Sequence, residues 1–161
     1  MQTTMRKSIL FLTFLCLQAG ALRAQVTLTE RAAARTDFEL VTADGTAAVC
    51  YDAADAAVVG TAAGLFAADV ARVTGREIPV VDGSELPAKT RCAVIVGTVG
   101  QSRWIDELAA AKKIDVTPIE GGWERYTLRL VDRPGHGLRK ALVIAGSDRR
   151  GTAYGLLSVS R

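Results

Sequence analysis

The sequence predicts an α/β domain, a mixed β-sheet with helices packed against it. Three observations carry that prediction. Cys92-Ala93-Val94-Ile95-Val96 and Ala141-Leu142-Val143-Ile144-Ala145 are short apolar runs without polar alternation, as strands covered on both faces require. Between and around them lie longer stretches whose apolar residues recur every three or four positions, the helical period. Glycine, proline and aspartate cluster at the junctions, where the chain must turn. With 161 residues, 49% of them hydrophobic and 23% charged, the chain has material for one domain.

The first elements are not part of that domain. Arg6 and Lys7 precede the apolar run from Ile9 to Leu17, followed by the small residues Ala19-Gly20-Ala21 and then Leu22-Arg23-Ala24. This is the three-part layout of a secretory signal peptide over residues 1–24, with cleavage after Ala24 preferred and after Ala21 as the alternative. The apolar run is about half the roughly 20 residues that span a bilayer, so no permanent membrane span is expected. Bulky Leu15 before Cys16 argues against lipid attachment there. The expected location is secreted or periplasmic, with a domain over 25–161. Removing Arg6, Lys7 and Arg23 from the 20 basic residues leaves 17, against 17 acidic ones. A formally neutral domain offers no basic field for phosphates, and nucleic acid is not an expected partner.

Phe38–Val41 and Ala47–Tyr51 read as two strands joined by the turn Asp44-Gly45. A helix follows, capped by Asp52 or Asp55, with Val59, Ala63, Phe66, Val70 and Val73 on one face and Gly75 as a left-handed C-cap. Ile78–Val81 is an edge strand because of Pro79. The strand Cys92–Val96 leads to a second helix capped by Ser102, with Asp106 and Glu107 in its first turns and Lys112 and Lys113 near its end. Trp123–Val131 is a strand with Tyr126, Leu128 and Leu130 on its apolar face, and the turn Arg133–Gly137 leads to the strand Ala141–Ala145. A final helix begins near Ser147 or Asp148 and runs to the last residue. Its end, Leu156–Arg161, lacks a glycine cap or a polar tail, so an uncovered apolar face and a domain incomplete at its C-terminus are expected.

Little in this chain points to chemistry. Val96-Gly97-Thr98-Val99-Gly100 carries G-x-x-G, short of the three glycines of a dinucleotide fingerprint, and reads as a tight turn opening a helix. Gly146-Ser147-Asp148-Arg149-Arg150-Gly151-Thr152 lacks the lysine of a P-loop and is rejected as a nucleotide site. Cys50 and Cys92 lie in apolar runs and are expected as buried hydrophobes rather than a bridge. His136 is expected in a solvent-facing turn, and no metal or cofactor is expected. Asp44, Asp82, Glu85, Asp115 and Glu120 are scattered, and adjacent Asp106 and Glu107 diverge on a helix. No serine stands in a G-x-S-x-G elbow, and no catalytic residue is assigned.

The run Ala141–Gly155 resembles the end of the N-terminal domain of glycoside hydrolase family 115, the xylan α-1,2-glucuronidases. Asp69–Gly75, Val94–Thr98 before Ile105–Leu108, and Gly122-Trp123-Glu124 agree in order and spacing, so the resemblance runs from about Phe38 to Arg161. A looser form of the pattern occurs in N-terminal domains of β-hexosaminidases and family 67 glucuronidases. The resemblance implies a non-catalytic domain ahead of a (β/α)₈ barrel, whose acids remove (4-O-methyl)glucuronic acid from xylan. The expected partner is that barrel, with xylan-type polysaccharide met indirectly. Gly146 and Gly151 are expected as structural turn glycines. Asp148 is expected to cap the last helix, and Arg149 or Arg150 to pair with it or with a barrel carboxylate at a domain junction. A contact from one arginine to the substrate's uronate is the alternative. A stand-alone carbohydrate-binding module and a hexosaminidase-type N-terminal domain remain as the other readings.

Overall fold

The computed structural model describes residues 37–160 apart from Ser84. The expected leader, its cleavage point Ala24 and Arg161 lie outside the described residues. The chain enters through a two-stranded hairpin, β1 (Val41–Thr42) with β2 (Gly45–Thr46), in which Val41 faces Thr46. β3 (Ala48–Cys50) does not return along Phe38–Val41, as the sequence pattern had predicted. It joins a second, five-stranded sheet instead. The reason is burial: Ala48, Val49 and Cys50 are all fully enclosed, which a two-stranded ribbon cannot achieve.

α1 (Ala57–Thr74) follows and buries Val59, Ala62, Ala63, Phe66 and Val70. Val73 lies on the same side yet is 82% exposed. Gly75, at φ 70°, caps the helix by donating its N–H to the Ala71 carbonyl at 2.8 Å. By length and composition alone α1 could cross a membrane, but its buried stripe packs on the sheet. β4 (Val80–Val81) is the edge strand that Pro79 foretold.

β5 (Cys92–Thr98) is buried along its whole length. α2 (Arg103–Ala110) turns Trp104, Ile105 and Leu108 inward and ends before Lys112 and Lys113, which therefore lie past its last turn. β6 (Tyr126–Gly135) and β7 (Leu138–Gly146) form a long hairpin, and α3 (Arg149–Val159) closes the fold. β6 starts later and runs further than predicted. Its register shifts between Asp132 and Gly135, so the expected turn at Pro134 is absorbed as an irregularity in an edge strand, where a missing N–H is tolerated.

The sheet order is β4-β3-β5-β7-β6, with β6 antiparallel to β7 and the other four strands parallel. α1 and α3 cover one face around Val49, Val94, Val96 and Ile144. α2 and the segment from Ile114 to Ile119 cover the other, around Ile95 and Val143. This is a mixed sheet with three helices packed against it. On β6, Leu128 is half-buried while Leu130 is exposed, since α3 overlies only the start of that strand; Tyr126 lies against Gly155 of α3 yet keeps an exposed edge.

One expectation is corrected here, that of the last helix, and one is borne out, that of the two cysteines. The apolar face of the last helix is not bare: Leu156 and Val159 pack into the core shared with α1. The helix ends at Val159, and the Ser160 hydroxyl donates to the Asp69 carboxylate. Cys50 pairs with Ile95, three positions along the neighbouring strand from Cys92. That offset is about 10 Å, beyond the reach of a bridge, and both thiols are free and buried.

Candidate functional site

In open α/β sheets ligands settle outside the carboxyl ends of the strands, where neighbouring connections diverge. Here that place lies between β3 and β5, and the chain's own side chains fill it. Asp52 and Asp55, on the loop after β3, are both buried. They do not cap α1, whose N-cap Ala56 receives no side-chain hydrogen bond to the helix. One Asp52 oxygen accepts the Ala54 N–H at 3.0 Å. The other accepts the Arg103 N–H at 3.1 Å and its Nε at 3.2 Å, so Asp52 caps α2 from another loop. Asp55 accepts the Ala56 N–H at 2.7 Å and, across the crevice, the Thr98 N–H at 2.7 Å. The Ala54 N–H, with Arg103 in support, holds the Asp52 carboxyl below its ordinary value. All four carboxylate oxygens are thus committed to N–H donors.

Ser102 stands at the predicted N-cap of α2 but makes no cap bond, and its hydroxyl is buried without a hydrogen-bond partner among the described residues. It lies against Gly97, where any β-carbon would overlap it. The G-x-x-G turn is therefore structural: Gly97 allows this contact, and Gly100, at φ 74°, donates its N–H to Asp106 at 2.9 Å. Thr98 and Thr152 join hydroxyls at 2.8 Å. Thr152 donates onward to the Asp148 carbonyl at 3.0 Å, so Thr98 is the donor between the two threonines.

Asp148, Arg149 and Arg150 form the second cluster. Asp148 caps α3, accepting the Arg150 N–H at 2.9 Å and the Gly151 N–H at 2.8 Å. Its other oxygen accepts the Glu124 N–H at 2.8 Å. These bonds, Glu124 first, hold its carboxyl below the usual aspartate range. Arg150 forms its ion pair with Glu124 at 3.1 Å, not with Asp148, and its guanidinium lies 5.6 Å from the centroid of Trp123. Arg149 is exposed. Gly146 and Gly151 serve by close approach: a β-carbon on Gly146 would overlap the Thr152 backbone nitrogen and hydroxyl, and one on Gly151 the Arg125 carbonyl.

His136 lies exposed in the turn between β6 and β7, as expected. His136 packs its ring 4.6 Å from Trp104 and sets Nε2 3.2 Å from Glu107. It stands at a cleft of about 210 Å³ that also touches Ile95, Leu108, Lys113 and Leu138. Trp123 is 73% exposed. Sequence reasoning missed the burial of Asp52 and Asp55, although Asp-x-x-Asp directly after an apolar strand was a signal for it. Among the described residues no cluster of three or more His, Cys, Asp or Glu could hold a metal ion.

Fold and site together define a three-layer α/β domain whose strand-end crevice is closed by its own carboxylates. No family model and no curated protein matches the chain. A solved structure that it resembles is a family GH115 4-O-methyl-α-glucuronidase, BtGH115A, with specificity for decorated arabinogalactans. The two share 29% identity at a TM-score of 0.53. The match covers 71% of this chain and 13% of that one, so this chain corresponds to a small part of the enzyme. The chain has a GH115-like fold, and the likeness suggests a glycosidase-related domain.

Proposed function

We propose that this chain is the non-catalytic N-terminal domain of an exported glycoside hydrolase that removes (4-O-methyl)glucuronic acid from polysaccharide side chains, glucuronoxylan first among them. The observation that carries the reading is the likeness to BtGH115A, which spans most of this chain and a small share of that enzyme. The strand-end crevice supports it. Glycoside hydrolysis requires an acid and a base or nucleophile across a sugar-sized cleft. Asp52 and Asp55 have every oxygen engaged by N–H donors and are buried. They staple loops together; they do not face a substrate. The domain's work is then to fold stably and to dock on a catalytic (β/α)₈ barrel, with Arg149 and Arg150 at the junction. The purified protein, incubated with glucuronoxylan and with glucuronic-acid-decorated arabinogalactan, is expected to release no uronic acid by anion-exchange chromatography. Release in either digest overturns the reading.

A further inference from the structure

The outer edge of the sheet at β6 pairs with no other strand among the described residues. Which of its backbone groups face outward follows from the hairpin. The Ser147 N–H donates to the Arg125 carbonyl at 2.9 Å, and Tyr126 faces Gly146, so Arg125 and Ser147 form a bonded pair. Facing residues in an antiparallel pair alternate between bonded and non-bonded. Thr127, Arg129 and Val131 therefore bond to β7, while Tyr126, Leu128, Leu130 and Asp132 turn their N–H and C=O groups to the open edge. The other side of β7 agrees. Lys140 and Gly146, which face Asp132 and Tyr126, direct their groups away from β6, to the Arg91 carbonyl and the Val99 N–H. The Arg129 guanidinium covers one outward group, the Leu128 carbonyl, at 3.1 Å. Leu130 beside it is 49% exposed. An edge of this length with apolar side chains is a template for another strand.

We infer that the occupant of this edge is a segment of the same chain, Val26-Thr27-Leu28-Thr29, added to β6 as a further strand. The position of Asp37 carries the argument. Its carbonyl accepts from Lys140 Nζ at 3.1 Å, and Lys140 faces Asp132 across the hairpin, their charged atoms 3.8 Å apart. From Asp37 the chain moves away from β6 toward β3, with Phe38 and Leu40 packed against the core. What precedes Asp37 therefore starts beside the last of the outward-facing residues. Residues 25–36 can reach about 40 Å when extended, twice the roughly 20 Å from Asp132 back to Tyr126. Val26, Thr27, Leu28 and Thr29 alternate apolar with polar and include the β-branched residues that strands favour. In the matching register Val26 and Leu28 fall beside Leu128 and Leu130, and the threonines beside Thr127 and Arg129 on the other face. A second copy of β6 fits less well. That strand carries Arg129 and Arg133 against Asp132 alone, so two copies bring like charges together, whereas the chain is uncharged from Ala24 to Thr29. The inference stands apart from the glycosidase reading and needs no partner.

Amide hydrogen exchange of the purified protein, resolved residue by residue by NMR, tests it. The Leu128 and Leu130 N–H groups, at the centre of the open edge, should exchange at least about a hundredfold slower than an unbonded amide. Leu28→Pro, which removes a donor and disfavours a paired strand, should return both to fast exchange. Thr127, Arg129 and Val131, bonded to β7, should keep their protection in that variant. A nitroxide coupled to a Val26→Cys variant gives a readout that needs no disrupted protein, since Cys50 and Cys92 are buried. It should broaden the Leu128 and Leu130 amides well beyond those of Val80 and Val81 at the opposite edge of the sheet. Fast exchange at Leu128 and Leu130 in the unaltered protein overturns the inference, as does protection that survives Leu28→Pro. So does protection that fades on dilution, which would assign the edge to a second copy, or equal broadening at both edges. Those failures leave the accessory role standing; that role falls only on release of uronic acid by this chain.

Discussion

Replacing Asp148 by alanine removes one side chain and orphans three backbone donors. Two are the N–H groups of Arg150 and Gly151 in the first turn of α3, and the third is the N–H of Glu124 on a different segment. An N-cap of this kind contributes about 1 kcal/mol. The Glu124 bond adds about 1 kcal/mol more, taken at the low end because the group is only half-buried and solvent screens it. The sum of about 2 kcal/mol corresponds to a melting temperature lower by about 6–8 °C for a domain of this size. The pH dependence follows from the lowered carboxyl pKa. A carboxylate whose folded pKa lies below its unfolded value stabilises the fold above the unfolded pKa, about 3.9 for aspartate, and loses that contribution as pH falls through the folded value. Thermal melts of wild type and Asp148→Ala from pH 7 to pH 2.5 should therefore show a constant gap down to about pH 4 that narrows below it. Asp148→Asn, which keeps a capping oxygen without the charge, should fall between them. A variant melting within a degree of wild type at pH 7, or a gap that persists unchanged at pH 2.5, would refute this account of the loop.

Three other outcomes are expected. Gly151→Ala should destabilise the domain by about 1–3 kcal/mol in urea unfolding, because its β-carbon must displace the Arg125 carbonyl. A neutral result would mean that β6 and α3 are less closely packed than described. Leu156→Ala should cost about 3 kcal/mol, since the side chain is fully buried between the sheet and α1, while Val73→Ala on the exposed last turn of α1 should stay within about 0.5 kcal/mol. Burial pushes the Cys50 thiol up to about 12, so at pH 8 it should resist a thiol-specific reagent until denaturant is added; rapid labelling of the native protein at Cys50 would contradict its enclosure.

Much of the architecture was legible in the residues because local burial writes a local period. The unbroken apolar run at Cys92–Val96 marked a strand covered on both sides. The spacing of Val59, Ala63, Phe66 and Val70 marked the inner face of α1, and Gly75 its end. Asp148 before Arg149 marked the start of α3. Each depends on neighbours within a turn or two, so the sequence determined it unaided.

What the tertiary structure decided were the pairings between segments far apart in the chain. Asp52 and Asp55 looked like caps for the helix that follows them, but parallel β3 and β5 bring the Arg103 and Thr98 N–H groups to these carboxylates instead. Leu130 alternates correctly for an apolar face, yet β6 is an edge strand that α3 only partly covers. The last helix reads as a bare apolar end until α1 is laid beside it. Periodicity records that a face will be covered, whereas strand order determines which groups cover it and which donor reaches a given carboxylate first.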